Sequence, residues 1–141
     1  MSSFSELYRT IYGTDVGPSS PEFTLVYYSA HWCGPCRSFT PVLENTYHTW
    51  NTNDEDVKII FISGDRSEEQ FDLYSSSMPW DCLPYHEKKV KDNLKIDFNL
   101  RSLPTVLVFN KKGQMISNRG RELIQSKRDR SLRVWRSLQC V

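Results

Sequence analysis

The sequence predicts an α/β domain in which a central mixed β-sheet carries helices on both faces. Strands and helices alternate through most of the chain, which calls for parallel strands joined by helical crossovers. Near the end, the tight turn Asn110-Lys111-Lys112-Gly113 joins two short strands and calls for an antiparallel edge hairpin. With 141 residues, 38% of them hydrophobic, and 7 Phe, 7 Tyr and 4 Trp, the chain supplies one real core and no more. A single domain over 1–141 follows, with a helix and turn-rich lead at 1–22 and the core at 23–138.

The first 11 residues are expected to be helical, with Phe4, Leu7, Tyr8 and Ile11 on one face and Gly13 as the stop. Gly17-Pro18-Ser19-Ser20-Pro21 is a turn-rich link. Phe23 to Ser29 is β-branched and aromatic, a buried strand. From Gly34 to about Trp50, Phe39, Val42, Leu43, Tyr47 and Trp50 keep the helical period, with Pro41 expected to bend the helix. Val57 to Ile62 is a second interior strand. Ser67-Glu68-Glu69-Gln70 resembles a capping box opening a helix to about Ser77.

Met78 to Tyr85 is a Pro-punctuated loop, and Glu87 to Leu94 a short helix. Thr105 to Phe109 and Gln114 to Ser117 are the last two strands. One closing helix is expected from Gly120 to Leu138, docked by Leu132, Val134, Trp135 and Leu138 with its arginines in solvent.

Charge is uneven along the chain. Residues 111–141 hold nine of the 18 Lys and Arg but only Glu122 and Asp129 of the 17 acids. Such a tail can serve nucleic acid or an anionic membrane. The helical spacing of its apolar residues favours a solvated helix face instead, so neither partner is expected. Apolar stretches such as Ile59 to Ile62 have only four residues, far short of a membrane span. The N-terminus lacks the basic start and apolar run of a secretory signal. A cytoplasmic protein is expected, with the nucleus as a further compartment.

Four cysteines (Cys33, Cys36, Cys82 and Cys140) are too few and too unevenly spaced for a disulfide scaffold. Cys33-Gly34-Pro35-Cys36 falls between the first strand and the first long helix. Unpaired N–H groups and a partial positive charge at a helix N-terminus favour a thiolate. Cys33 is therefore the expected nucleophile, exposed and with a lowered pKa, and Cys36, three residues on, the less exposed resolving thiol. The other reading of such a pair is half a zinc site. Tetrahedral zinc needs two further ligands, and His31, His48 and His86 are scattered with no second close pair, so no metal and no other cofactor is expected.

Tyr28-Ser29-Ala30-His31-Trp32-Cys33-Gly34-Pro35-Cys36-Arg37-Ser38-Phe39-Thr40-Pro41 resembles the active-site segment of the thioredoxin superfamily. The Ser-Ala, the Arg after the second Cys and the Phe-Thr-Pro are similar to its tryparedoxin and nucleoredoxin branch. So are Met78-Pro79-Trp80 with Leu83-Pro84-Tyr85, Phe98 to Thr105, and Asn118-Arg119-Gly120-Arg121. The resemblance runs from about Phe23 to Trp135. It implies a thioredoxin fold and a protein-disulfide reductase contributing to cell redox homeostasis, with Cys33 as nucleophile and Cys36 as resolving cysteine. Leu103-Pro104 matches the family's cis-proline dipeptide, which faces the cysteine pair and pairs with a substrate backbone. Trp32, Gly34 and Pro35 match its substrate-facing rim, although Trp32 alone reads equally well as an ordinary rim aromatic.

Three departures from the family pattern matter. Tyr27 stands where many thioredoxins carry a buried Asp thought to take the proton of the resolving thiol. Asp65 is the candidate substitute acceptor, the other reading being a solvated loop acid. Gly-Pro between the cysteines, rather than the branch's frequent Pro-Pro, favours a reductant; thioredoxin sits at about −270 mV against about −180 mV for disulfide isomerase. The N-terminal segment is shorter than in tryparedoxins, so extra edge strands are expected to be missing.

Implied partners are disulfide-containing proteins and an upstream thiol or disulfide reductase. The alternative is a redox-sensing interaction protein regulating signalling or transcription factors through the same cysteines. Cys82 reads as a packed thiol or a regulatory one. Cys140, beyond the last apolar residue of the closing helix, is incidental or a site of intermolecular oxidation. The protein is accordingly expected to be a monomer when reduced, with a Cys140-linked dimer on oxidation.

Overall fold

The computed structural model describes residues 2–139. In chain order its elements are α1 (Ser3–Tyr12), β1 (Phe23–Ser29), α2 (Gly34–Thr52), β2 (Val57–Ser63), α3 (Glu68–Ser75), β3 (Asp81–Cys82), α4 (Lys88–Asp97), β4 (Thr105–Asn110), β5 (Met115–Ser117), α5 (Gly120–Lys127) and α6 (Ser131–Leu138). The five strands lie in the order β3-β2-β1-β4-β5. β1 runs parallel to β2 and antiparallel to β4, so the sheet is mixed, as expected.

All seven residues of β1 are buried, because the strand is central and covered on both sides. Phe23, Leu25 and Tyr27 face one core with Ile59, Phe61, Val106 and Val108, under α2, α3, α5 and α6. Val26 and Tyr28 face the other with Ile60, Ile62, Leu107 and Phe109, under α1 and α4. Pairing brings Ser29 opposite Ser63 and Tyr28 opposite Thr105. The end of β1, the end of β2 and the start of β4 therefore meet at one edge of the sheet, and everything that follows β1 and β2 or precedes β4 is gathered there.

Gly13 stops α1 in the left-handed conformation (φ 74°), and Ser2 and Ser67 cap α1 and α3 as their types predict. α2 continues through Pro41 to Thr52. Expectations for the 78–85 stretch and for the closing helix need correction. The stretch from Met78 to Tyr85 contains β3, in which Asp81 and Cys82 pair with Ile60 and Phe61. Two residues are too short a run for any periodicity to show.

The closing helix is not continuous. A 3-10 turn at Arg128–Arg130 separates α5 from α6, and Arg128 adopts φ 52°. No apolar residue lies between positions 125 and 130 to hold that stretch on the core, and Trp50 takes the Asp129 carbonyl through its Nε1 at 3.0 Å. Ile124 and Trp135 are both buried and sit eleven residues apart, close to three full turns, which mimics one unbroken helix. Nor are all its arginines in solvent. Arg136 reaches both carboxylate oxygens of Glu22 at 2.7 Å and also pairs with Glu55, tying α6 to the starts of β1 and β2. Leu138 stands half exposed rather than docked. Among the described residues no strand precedes β1, and no helix is long and apolar enough to cross a membrane.

Candidate active site

The chain leaves β1 at Ser29 and folds back at once, with the Cys33 N–H bonded to the Ala30 carbonyl at 3.2 Å. Cys33 is the N-cap of α2, in an extended conformation, and its Sγ accepts the Cys36 N–H at 3.4 Å. Gly34 and Pro35 form the first turn, and proline suits it because no helical partner exists there for its missing N–H. The sulfur at the cap thus faces the N-terminal end of the helix. The two cysteines are free thiols. Cys33 is less open than expected, at 8% exposure, because the loop before β4 covers it; Cys36 is fully buried.

That loop carries Leu103-Pro104, and the bond is cis. The Leu103 carbonyl lies 4.0 Å from the Cys33 Sγ, and the Leu103 side chain packs on Ala30, Cys33 and Cys36. Pro104 is buried beneath, while Gly34 and Pro35 are exposed beside it. The expected nucleophile, resolving thiol and proline loop are thus brought together.

Trp32 stands at the rim, 42% exposed, its indole N–H donated to the Gly64 carbonyl at 3.0 Å and the Arg66 guanidinium 4.5 Å above its ring. Gly64 packs closely here: a Cβ there would press on Leu103 Cδ1 at 3.3 Å and touch the Tyr28 ring at 3.4 Å. Asp65 is buried, not a solvated loop acid. One carboxylate oxygen accepts the His31 N–H at 2.7 Å and the other the Ser63 hydroxyl at 2.7 Å. It fastens the Cys33 turn to the end of β2.

Around Cys36 the surroundings are hydroxyls that sequence reasoning did not single out. Burial raises the pKa of the Cys36 thiol, as does its hydrogen bond with Cys33, while a hydrogen bond from Ser29 and the Ala30 backbone oppose the rise. The Ser29 hydroxyl lies 2.8 Å from the Tyr74 hydroxyl, and Tyr74 lies 2.7 Å from Thr40 Oγ1. Thr40 donates to the Cys36 carbonyl at 2.9 Å and sits 2.6 Å from the Tyr27 hydroxyl. Thr40 is one helical turn past Cys36, and Ser29 shares a strand face with Tyr27, so both carried a spacing signal. Tyr74 arrives from α3 and carried none.

Cys82 lies half buried in β3, its thiol 3.7 Å from the Trp80 carbonyl, and burial pushes its pKa up to about 11. That is a packed thiol rather than a reactive one. Cys140 lies outside the described residues. Among those residues no group of three or more His, Cys, Asp or Glu is disposed to hold a metal ion.

A family model described as thioredoxin-like matches residues 21–115. The nucleoredoxin of Danio rerio is 37% identical over 122 residues, which is 86% of this chain and 29% of that protein. The nucleoredoxin of Mus musculus is 42% identical over 96 residues, 68% of this chain and 22% of that protein. The chain thus spans less than a third of the length of these curated relatives. Among solved structures, the tryparedoxin from Trypanosoma brucei matches with a TM-score of 0.81 at 27% identity, over 96% of this chain and 99% of that one. A tryparedoxin II solved complexed with glutathionylspermidine matches with a TM-score of 0.73 at 29% identity, over 79% of this chain and 77% of that one.

Proposed function

Since the chain belongs to the thioredoxin superfamily, in its nucleoredoxin and tryparedoxin-like branch, we propose that it reduces disulfides in protein substrates through Cys33 and Cys36. The observation that carries this reading is the placement of Cys33 as the helix cap against the Leu103 carbonyl, with Cys36 buried one step below. The Cys33 thiolate attacks one sulfur of the target disulfide, and the other sulfur leaves as a thiolate. Cys36 then attacks the Cys33 sulfur of the mixed disulfide, closing the Cys33–Cys36 bond and releasing the second target thiol. The target gains two electrons and the protein loses two.

An upstream thiol or disulfide reductase returns the pair to the dithiol. That a tryparedoxin II was solved complexed with glutathionylspermidine supports a small-molecule partner for this chain as well. Trp32, Gly34 and Pro35 form the exposed rim against which a substrate chain lies, and the Leu103-Pro104 backbone offers it β-type pairing. A contribution to redox homeostasis in the cytoplasm is part of the same proposal.

Reduction of insulin with dithiothreitol as electron source tests it. Wild type should accelerate precipitation of the insulin B chain, and Cys33→Ser should be inert. Partner binding that persists in Cys33→Ser without any turnover would favour a redox-sensing interaction protein instead.

A further inference from the structure

Four segments meet at the edge of the sheet where Cys33 lies: residues 30–38 after β1, 64–67 after β2, 99–104 before β4 and 118–121 after β5. Strand pairing sets the first three there, with Ser29 opposite Ser63 and Tyr28 opposite Thr105. The fourth follows because β5 runs back along β4, and Asn118 shares a hollow of about 290 Å³ with Arg101, Ser102 and Thr105. These segments carry Arg37, Arg66, Arg101, Arg119 and Arg121 against a single acid, Asp65. Asp65 is buried and committed to the His31 N–H and the Ser63 hydroxyl. Arg119 is paired with Glu122 at 2.9 Å. Arg37, Arg66 and Arg101 are exposed, and none of them has an ion-pair partner among the described residues.

Arg66 stands beside the nucleophile. Its guanidinium carbon lies 4.5 Å from the centroid of the Trp32 ring, and Trp32 directly precedes Cys33. The ring is fixed by its N–H bond to the Gly64 carbonyl at 3.0 Å. The backbone under Arg66 is fixed as well. Its own N–H is bonded to Gln70 Oε1 at 3.1 Å, Asp65 is clamped before it, and Ser67 caps α3 after it. An aromatic face attracts a guanidinium without consuming its N–H donors, which match a carboxylate two at a time. Glu68 and Glu69, the next acids in the chain, line a depression on α3 with Asp72, Leu73 and Ser76, and Arg66 takes no part in it.

We propose that the Cys33 site selects disulfides in acidic segments of its protein substrates, with Arg66 on Trp32 as the specificity-determining contact and Arg37 and Arg101 adding to the field. This rests on the disulfide-reductase reading above and names its substrate class. A target chain lying over Trp32, Gly34 and Pro35 brings the side chains that flank its cysteine next to Arg66. Carboxylates there gain a cationic partner, whereas lysines meet like charge. Steering toward a basic rim raises the encounter rate in the same sense. The attacking thiolate is itself an anion and repels an acidic segment, so the attraction comes from the surrounding rim.

Two peptides test it, each with one internal disulfide and differing only in the residues that flank the cysteines, Glu in one and Lys in the other. Reduction by the full chain, with dithiothreitol as electron source, is measured as kcat/KM. Dividing by the rate with dithiothreitol alone removes the intrinsic difference in reactivity. Wild type should favour the Glu peptide about fivefold at low salt, the scale that exposed opposite charges supply. The preference should shrink toward parity in about 1 M salt, where charges are screened beyond about 3 Å. Arg66→Gln should lower it to about twofold, Arg66→Lys should retain most of it, and Arg66→Glu should abolish or reverse it. Neutral iodoacetamide should alkylate Cys33 as fast in Arg66→Gln as in wild type, because the contact acts on the substrate. Equal normalised rates for the two peptides in wild type, or a fall in Arg66→Gln that is the same for both, would overturn the proposal and leave the reductase reading in place. Alkylation slowed in proportion would place Arg66 on the thiol and overturn it too. Reduction of neither peptide by wild type would overturn the reductase reading itself, and the selectivity with it.

Discussion

The Leu103 carbonyl oxygen lies 4.0 Å from the Cys33 sulfur, although the two residues are 70 positions apart in the chain. As a thiol, Cys33 can donate its weak S–H to that oxygen. As a thiolate it cannot, and sulfur and oxygen become two acceptors facing the same space. Ionising the nucleophile therefore releases the carbonyl to pair with an N–H of an incoming chain, so one event readies both the attacking atom and its docking group.

The first prediction is unequal thiol reactivity. Cys33 retains 8% exposure at a helix N-terminus, Cys36 has none, and Cys82 is half buried with a raised pKa. Brief alkylation near neutral pH followed by peptide mapping should find Cys33 modified first and Cys36 only after unfolding. Cys36 or Cys82 labelled ahead of Cys33 would contradict the assignment.

A second prediction concerns pH. Burial pushes the folded-state pKa of Cys36 up to about 11 from an ordinary 9.0. A raised pKa stabilises the fold below the unfolded value and loses that contribution as pH climbs to the folded one. The reduced protein should therefore lose on the order of 2 kcal/mol from Cys36 between about pH 9 and 11, and a similar amount from Cys82, whose pKa is raised likewise. Urea unfolding across that range should show a smaller loss in the oxidised protein, where Cys36 no longer titrates.

Close packing behind the proline loop gives a third. A Cβ on Gly120 would lie 2.7 Å from Val106 Cγ1 and 3.0 Å from the Val106 carbonyl oxygen. Gly120→Ala should cost about 1–3 kcal/mol in urea unfolding. Adding Val106→Ala should recover only part of it, since the carbonyl stays in place.

The fourth tests the seat of α6. Trp135 is fully buried, with ring centroids 5.7 Å from Phe23 and 5.9 Å from Trp50. Trp135→Ala should cost about 3–5 kcal/mol. Insulin turnover per folded molecule should survive, because Trp135 packs on the start of β1 and the cysteines follow its other end.

The site was legible where chemistry is local. The Cys33–Cys36 pair lies within one turn of a helix that its apolar spacing announces, and the strand before it is a plain β-branched run. Leu103-Pro104 was reached only through family resemblance, since nothing near position 103 points to position 33. Of the hydroxyls around Cys36, Ser29 and Thr40 carried a spacing signal that names no chemistry by itself, and Tyr74 is an ordinary residue until the fold brings α3 to that strand end and helix turn. Position 27 was read as lacking a carboxylate, when its phenol forms part of that group. The break at Arg128 was hidden because Ile124 and Trp135 keep helical phase across it.

The most direct test of the central claim is equilibration of the full chain in glutathione buffers of graded potential, followed by acid quench, alkylation and mass mapping. Cys33 and Cys36 should become protected together in one two-electron transition, joined to each other, while Cys82 remains labelled throughout. Cys33 protected alone, as a mixed disulfide with glutathione and with Cys36 still alkylated at equilibrium, would contradict the account.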